Sequence, residues 1–192
     1  VYDVKCSMNV ERAILEAGGR PVMARTGHSF MKRVLASMPE CKMAAEMSGH
    51  IFLADRGWYG FDCSLYNAAR LIELWSRQAP AVDGGPSFSN ELDRLAPPLP
   101  TTGEVKVPCE EDDKIRVVSA ITEAFNDMEA STVDGVRVRF NDDSGEYVGW
   151  YLARKSNTEP VLVMRMEALS ESALQTMMNV VNERVSGIIN IE

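Results

Sequence analysis

Apolar positions along this chain fall into two kinds of pattern: short runs spaced as strands require, and stripes recurring every three to four residues, as helices require. Residues 1–5 predict a strand already under way at Val1, with no leader or capping residue before it, so the sequence reads as a piece of a longer polypeptide. Residues 9–17 predict a helix capped by Asn9 and ended by Gly18-Gly19. A second strand is expected over residues 21–25. After it, Thr26-Gly27-His28-Ser29 predicts a turn into a helix over 30–38, where Phe30, Val34 and Met38 keep helical spacing. Residues 44–53 predict a loop feeding a strand. Residues 62–77 predict a helix with Leu65, Ala69, Ile72 and Trp75 facing a core.

Between residues 80 and 100 the pattern breaks. Five of the nine prolines lie there, with Gly84-Gly85, so a lid-like loop and an interdomain hinge are expected, with the boundary near Leu99. Beyond it the pattern predicts a strand over 105–108, a helix over 113–126, strands over 133–140, 147–155 and 161–168, and a closing helix over 170–185. Three strands joined by short turns imply an antiparallel sheet backed by helices. The expected fold is an α/β mixed-sheet domain over residues 1–98, shortened at its N-terminus, followed by an α+β domain over 99–192 with a helix-backed antiparallel sheet.

Composition narrows the partners. Of 192 residues 45% are hydrophobic, enough for a sizeable core, and 28 Asp plus Glu against 20 Lys plus Arg give a net charge of -8. That sign argues against nucleic acid or an anionic membrane as a partner, and an anionic ligand needs a local basic cluster. The longest apolar runs, such as Val161-Leu162-Val163-Met164, fall far short of the roughly 20 residues of a membrane helix. Cys6, Cys41, Cys63 and Cys109 form no Cys-x-x-Cys pair, which favours reduced thiols in a cytoplasmic protein and no metal site in this chain.

Three loops carry residues suited to chemistry. Arg154-Lys155-Ser156-Asn157-Thr158-Glu159-Pro160, with Arg165 beyond it, gathers hydroxyls, an amide and guanidinium groups that would suit a phosphate dianion. A plain hairpin turn, with Arg165 paired to Glu167, reads equally well. Glu46-Met47-Ser48-Gly49-His50 places a carboxylate and a hydroxyl two residues apart, suited to neighbouring sugar hydroxyls or simply to a solvated loop. Lys5, near Arg25, His28, Ser29 and Lys32, stands at a strand's carboxyl end, as a proton-transfer group or a surface ion pair. Asp142-Asp143-Ser144-Gly145-Glu146 reads as a hairpin turn rather than a metal loop.

The order and spacing of these loops resemble the α-D-phosphohexomutases, the phosphoglucomutase/phosphomannomutase family. The likeness runs through Asp3-Val4-Lys5-Cys6-Ser7, Gly18-Gly19, Thr26-Gly27-His28-Ser29, Glu46-Met47-Ser48-Gly49-His50, Trp58-Tyr59-Gly60-Phe61-Asp62, Asp134-Gly135-Val136-Arg137, and residues 154–168. Ala44-Ala45 and Cys63 depart from the family pattern, which often has two glycines and an Asp there. The resemblance implies most of the third of four domains plus the whole fourth. It implies that Glu46 and Ser48 bind sugar hydroxyls and that Arg154, Ser156, Asn157, Thr158 and Arg165 grip phosphate. It also implies that Lys5 and His50 lie near the transferring phosphoryl group, Lys5 as a candidate acid or base, and that His28 belongs to the same cleft.

The resemblance further implies a full-length enzyme that interconverts hexose 1-phosphate and hexose 6-phosphate through a hexose 1,6-bisphosphate. That enzyme is a phosphoprotein using Mg2+ and glucose 1,6-bisphosphate, with N-terminal domains as its partners. The family's Ser-His-Asn-Pro phosphoserine motif and Asp-x-Asp-x-Asp metal loop do not occur in these residues, so the chain is expected to be inactive alone. The other class of reading is a stand-alone, non-catalytic phosphosugar-binding module.

Overall fold

The computed structural model describes residues 1–78 and 87–189. They form two compact units, Val1–Pro98 and Leu99–Glu192.

The first unit is built on a four-stranded mixed sheet of order β2-β1-β3-β4: β1 (Tyr2–Asp3), β2 (Met23–Ala24), β3 (Met43–Ala45) and β4 (Ile51–Leu53). The central β1 pairs parallel with β2 and β3, while β3 and β4 form an antiparallel hairpin. Helix α2 (His28–Ser37) turns Met31 and Leu35 onto Ala24, Ala44 and Phe52, making the core. Ala44 and Ala45 therefore belong to a strand rather than to the expected loop, and His28 and Ser29 to a helix rather than to the turn before it.

Helix α1 (Met8–Glu16) is capped by Ser7, not Asn9: the Ser7 hydroxyl accepts the Asn9 N–H at 3.1 Å. Asn9 is instead buried and donates to the Pro97 carbonyl at 2.8 Å. At the other end Gly19 N–H reaches Ile14 O and Gly18 N–H reaches Leu15 O, with Gly18 at φ 74°, the Schellman ending its glycines permit.

Helix α3 (Ser64–Gln78) overturns the expected apolar face. Leu65 is 82% and Ile72 68% exposed, and Ala69 is exposed too. The helix is held by its polar side: Tyr66 and Arg70 donate to Asp55 at 2.9 and 2.7 Å, Asn67 donates to Ile51 O, and Trp58 stacks on Tyr66. Helical spacing identified a stripe but not which stripe packs, and a charged network outweighed it here. The expected lid is also revised, because residues from Phe88 to Leu95 form helix α4, capped by Ser87. Pro80, Gly84, Gly85 and Pro86 lie outside the described residues.

The second unit is a five-stranded antiparallel sheet of order β5-β9-β8-β7-β6: β5 (Val105–Pro108), β6 (Ala130–Ser131), β7 (Val136–Asn141), β8 (Tyr147–Lys155) and β9 (Val161–Ala168). The helices α5 (Lys114–Ala124) and α6 (Glu171–Val185) pack on one face, against Val136, Val138, Tyr151, Ala153, Met164 and Met166. Side chains alternate along each strand and directly opposed residues share a face. Arg137, Leu152 and Arg165 stand opposite one another, so Trp150, Arg154 and Glu167 fall with them on the other face. Asp142 to Glu146 is the β7–β8 turn, with Asp142 Oδ1 accepting the Ser144 and Glu146 N–H groups. Among the described residues no helix is long and apolar enough to cross a membrane.

Candidate functional site

Each unit carries a candidate site. In the first, the organising residue is Asp3, whose role its sequence position did not reveal. It is completely buried at the end of β1. Oδ1 accepts the Lys5 N–H at 3.2 Å, the Cys6 thiol at 3.0 Å and the Met47 N–H at 3.3 Å, while Oδ2 accepts the Thr26 hydroxyl at 2.7 Å. One carboxylate thus ties together the turn of Lys5, the turn leading into α2 ahead of His28, and the turn that begins at Glu46. A buried charge is tolerable because every contact is a donor.

Residues 46–50 are the tight turn of the β3–β4 hairpin, closed by Glu46 N–H to His50 O at 2.9 Å and Gly49 N–H to Glu46 O at 3.0 Å. Glu46 is buried, and its Oε1 accepts the Gly27 N–H at the start of α2, while Oε2 faces the Ser48 hydroxyl at 3.4 Å. The expected free acceptor is therefore partly committed to holding the Thr26–Gly27 turn. Lys5 is half-buried in the turn that follows β1.

His28 and His50 come together although they lie on different elements. Their rings meet edge-on with centroids 4.3 Å apart, and His28 also stands edge-on to Phe52. Both face Asp62, which lies beside β4: His50 Nδ1 is 2.7 Å and His28 Nε2 3.4 Å from Asp62 Oδ2. An ionised carboxylate only accepts, so His50 carries its proton on Nδ1 and leaves Nε2 for other work. Burial raises the Asp62 carboxyl, but the His50 and Ile51 donors and the neighbouring imidazoles outweigh it and hold the group below its usual value. Asp62 was visible in sequence only as part of a matched string. Its role appears once Phe52 and Asp62 pair across the sheet edge.

In the second unit the site is the β8–β9 connection, residues 156–160. Arg154 and Arg165 point to the same face of the sheet, as a shared anion would require. Arg154 is 4% exposed, donates from Nε to Asp134 Oδ2 at 2.9 Å, and has its Nη2 buried with no hydrogen-bond partner within the protein. The fork is thus half used, and not wholly available as the sequence implied. On the same face the Arg137 guanidinium lies 3.8 Å from the Trp150 ring centroid, and the Trp150 indole donates to Glu167 at 3.2 Å. Ser156 is buried, its hydroxyl accepting the Thr158 and Glu159 N–H groups, so it shapes the loop; Asn157 and Thr158 are exposed.

Two further residues in this unit were not foreseen. Lys114, 1% exposed at the start of α5, donates to Ser156 O at 3.2 Å and Glu159 O at 2.5 Å, clamping both sides of the loop from beneath. Asp134 is held beside Arg154 by Gly135, at φ 74°, where a Cβ would lie 2.2 Å from Ala153 O. All four cysteines are free.

Comparison with known proteins places both units in one family. Residues 1–84 match the sequence profile of phosphoglucomutase/phosphomannomutase, alpha/beta/alpha domain III, and residues 104–184 that of the phosphoglucomutase/phosphomannomutase C-terminal domain. The phosphomannomutase/phosphoglucomutase of Pseudomonas syringae pv. tomato is 37% identical over 195 residues, covering 100% of this chain and 37% of that protein. A crystal structure of a phosphoglucomutase/phosphomannomutase family protein from Burkholderia thailandensis matches with a TM-score of 0.80 at 37% identity, over 98% of this chain and 38% of that one. The N-acetylphosphoglucosamine mutase of Aspergillus fumigatus, in complex with GlcNAc-6P and magnesium, shares the fold with a TM-score of 0.61 at 12% identity, over 98% of this chain and 38% of that one. The chain spans about 37% of the length of the curated relative from Pseudomonas syringae. It belongs to the phosphoglucomutase/phosphomannomutase family and carries that family's domain III and C-terminal domain.

Proposed function

We propose that this chain supplies sugar and phosphate recognition to a phosphohexomutase that interconverts hexose 1-phosphate and hexose 6-phosphate through a hexose 1,6-bisphosphate, in the cytoplasm. The observation that carries the reading is Arg154. A buried guanidinium whose Nη2 has no partner within the protein, on one sheet face with Arg165 and beside the exposed Asn157 and Thr158 side chains, is suited to an oxyanion. In this reading Arg154, Arg165, Asn157 and Thr158 hold the phosphate that is not reacting, and Ser156 and Lys114 hold the loop to that shape.

In the first unit, Glu46 and Ser48 accept from and donate to sugar hydroxyls, and Lys5 and His28 face the charged end of the substrate. His50 moves a proton at Nε2 while Asp62, bonded to Nδ1, fixes the ring and stabilises the imidazolium. Phosphoryl transfer is largely positioning and charge stabilisation, and these residues supply both. The transferring group and the remaining charge stabilisation would come from the N-terminal domains with Mg2+ and the glucose 1,6-bisphosphate activator. Among the described residues the one grouping of three potential ligands is two imidazoles and a carboxylate, a set that does not fit magnesium, which takes oxygen ligands in an octahedron. No step of this reading passes through a metal held by this chain.

The test is calorimetric titration of the 192-residue chain with glucose 6-phosphate. Arg154→Lys keeps the charge beside Asp134 but removes the second edge of the fork, and should weaken binding by about 1.5–3 kcal/mol. Unchanged affinity in a folded variant would overturn the assignment. The chain alone should give no turnover of glucose 1-phosphate with Mg2+ and the bisphosphate present.

A further inference from the structure

The His28, His50 and Asp62 cluster has a second chemical capacity. We propose that these three side chains form a binding site for one zinc ion, a soft competitor that would occupy the cluster in place of its shared proton. Only two histidines occur in the whole chain, and the fold brings both to one carboxylate. One ligand atom from each residue lies within 4.8 Å of the others. Tetrahedral zinc, with bonds of about 2.0–2.2 Å, sets its ligand atoms about 3.3 Å apart. The 3.4 Å from His28 Nε2 to Asp62 Oδ2 already has that spacing. The 2.7 Å from His50 Nδ1 to the same oxygen is the length of a hydrogen bond, so the ion replaces the Nδ1 proton and the two atoms part by a few tenths of an ångström.

The surroundings allow that adjustment. The side chains of His28 and His50 are 43% and 45% exposed, which gives the ion a path in and a solvent-facing fourth position. Asp62 is oriented from behind, its Oδ1 accepting the Ile51 N–H at 3.3 Å, so Oδ2 is presented to the ion as a second shell should present it. His28 is braced by its edge-on contact with Phe52. Two imidazoles and one carboxylate favour zinc strongly over magnesium or calcium. The functional consequence, loss of the His50 proton carrier and hence inhibition by zinc, rests on the proposed role of His50; zinc binding itself does not.

The experiment is a zinc titration of the 192-residue chain followed by calorimetry and by the imidazole signals in nitrogen-proton NMR. One equivalent should bind, and both histidine signals should move together, a result that needs no variant. His28→Gln, His50→Gln and Asp62→Asn should each lower zinc affinity by at least the roughly tenfold to hundredfold that loss of a mere hydrogen-bond partner of a ligand costs, while Cys63→Ser leaves it unchanged. Millimolar Mg2+ should leave the imidazole signals in place. The proposal is overturned if one equivalent still binds to the His28→Gln/His50→Gln double variant, if only one imidazole responds, or if Cys63→Ser abolishes binding. Zinc binding is read without activity or phosphosugar, so its failure would leave the glucose 6-phosphate result intact, and the reverse.

Discussion

Arg154 gives its Nε–H to Asp134 at 2.9 Å, in a pair whose side chains are only 5% and 4% exposed. Removing one member leaves the other as an uncompensated buried charge, which costs about 3–5 kcal/mol. Asp134→Ala should lower the unfolding free energy by that amount in a urea titration. A loss below about 1 kcal/mol would mean the pair is not held as described.

Gly135 brings Asp134 to that position, and its φ of 74° is strained for any side chain. The clash of a Cβ is with backbone, Ala153 O at 2.2 Å and Arg154 Cα at 2.7 Å, so no rotamer relieves it. Gly135→Ala should therefore cost more than the roughly 1 kcal/mol typical of Gly replaced in a left-handed turn. A melting temperature within a degree or two of the parent would contradict this.

Lys114 lies beneath the β8–β9 loop and donates to a carbonyl on each side of it. Lys114→Met keeps the stem and deletes the donors to Ser156 O and Glu159 O, leaving both carbonyls without that partner. The expected sign is local: faster hydrogen exchange at the Thr158 and Glu159 amides, with the α6 amides unchanged.

Glu46 has a structural duty besides the one proposed for substrate. Glu46→Gln keeps an acceptor toward Gly27 but removes the charge. Affinity for glucose 6-phosphate should drop by about 1.5–3 kcal/mol while affinity for inorganic phosphate stays the same. Equal losses for the two ligands would refute a sugar-hydroxyl role.

Asp55 supplies a pH dependence. Burial raises its carboxyl, but the Tyr66 hydroxyl and the Arg70 guanidinium outweigh it and hold the group below 3.8. A depressed folded value means that folding favours the ionised form, so the stabilisation is present above 3.8 and fades as pH falls through the lower folded value. Urea midpoints of the parent and Asp55→Asn should differ by a constant amount near neutrality and converge in acid. A gap that widens on acidification would show the opposite sign.

Much of the second unit was legible because its strands are long enough to show their period. Tyr147–Lys155 and Val161–Ala168 agree with their expected ends, since eight or nine alternating residues leave little freedom of register. In the first unit, strands of two or three residues carry almost no pattern, and β1 is narrower than the run that suggested it. Helix α3 was misoriented because Leu65 and Ile72 look like a core stripe, whereas Asp55, Tyr66 and Arg70 form the contact. At the candidate sites, the sequence singled out residues on loops, whereas Asp3, Asp62 and Asp134 appeared only within matched strings and Lys114 not at all. Each acts through a partner distant in sequence, a relation that only the folded chain displays.

The two faces of β8 set a constraint on how the chain can change. Odd-numbered Tyr151 and Ala153 belong to the helix-backed core, and even-numbered Trp150, Leu152 and Arg154 to the opposite side. Deleting a single residue ahead of Arg154 would exchange these sets, driving a guanidinium among the methionines of α6 and β9 and turning a tyrosine toward the arginine row. Length variation in this strand is therefore tolerable in steps of two or where a bulge absorbs the odd residue, and the register shift already present at Phe140 and Asn141 marks where such an absorber can sit.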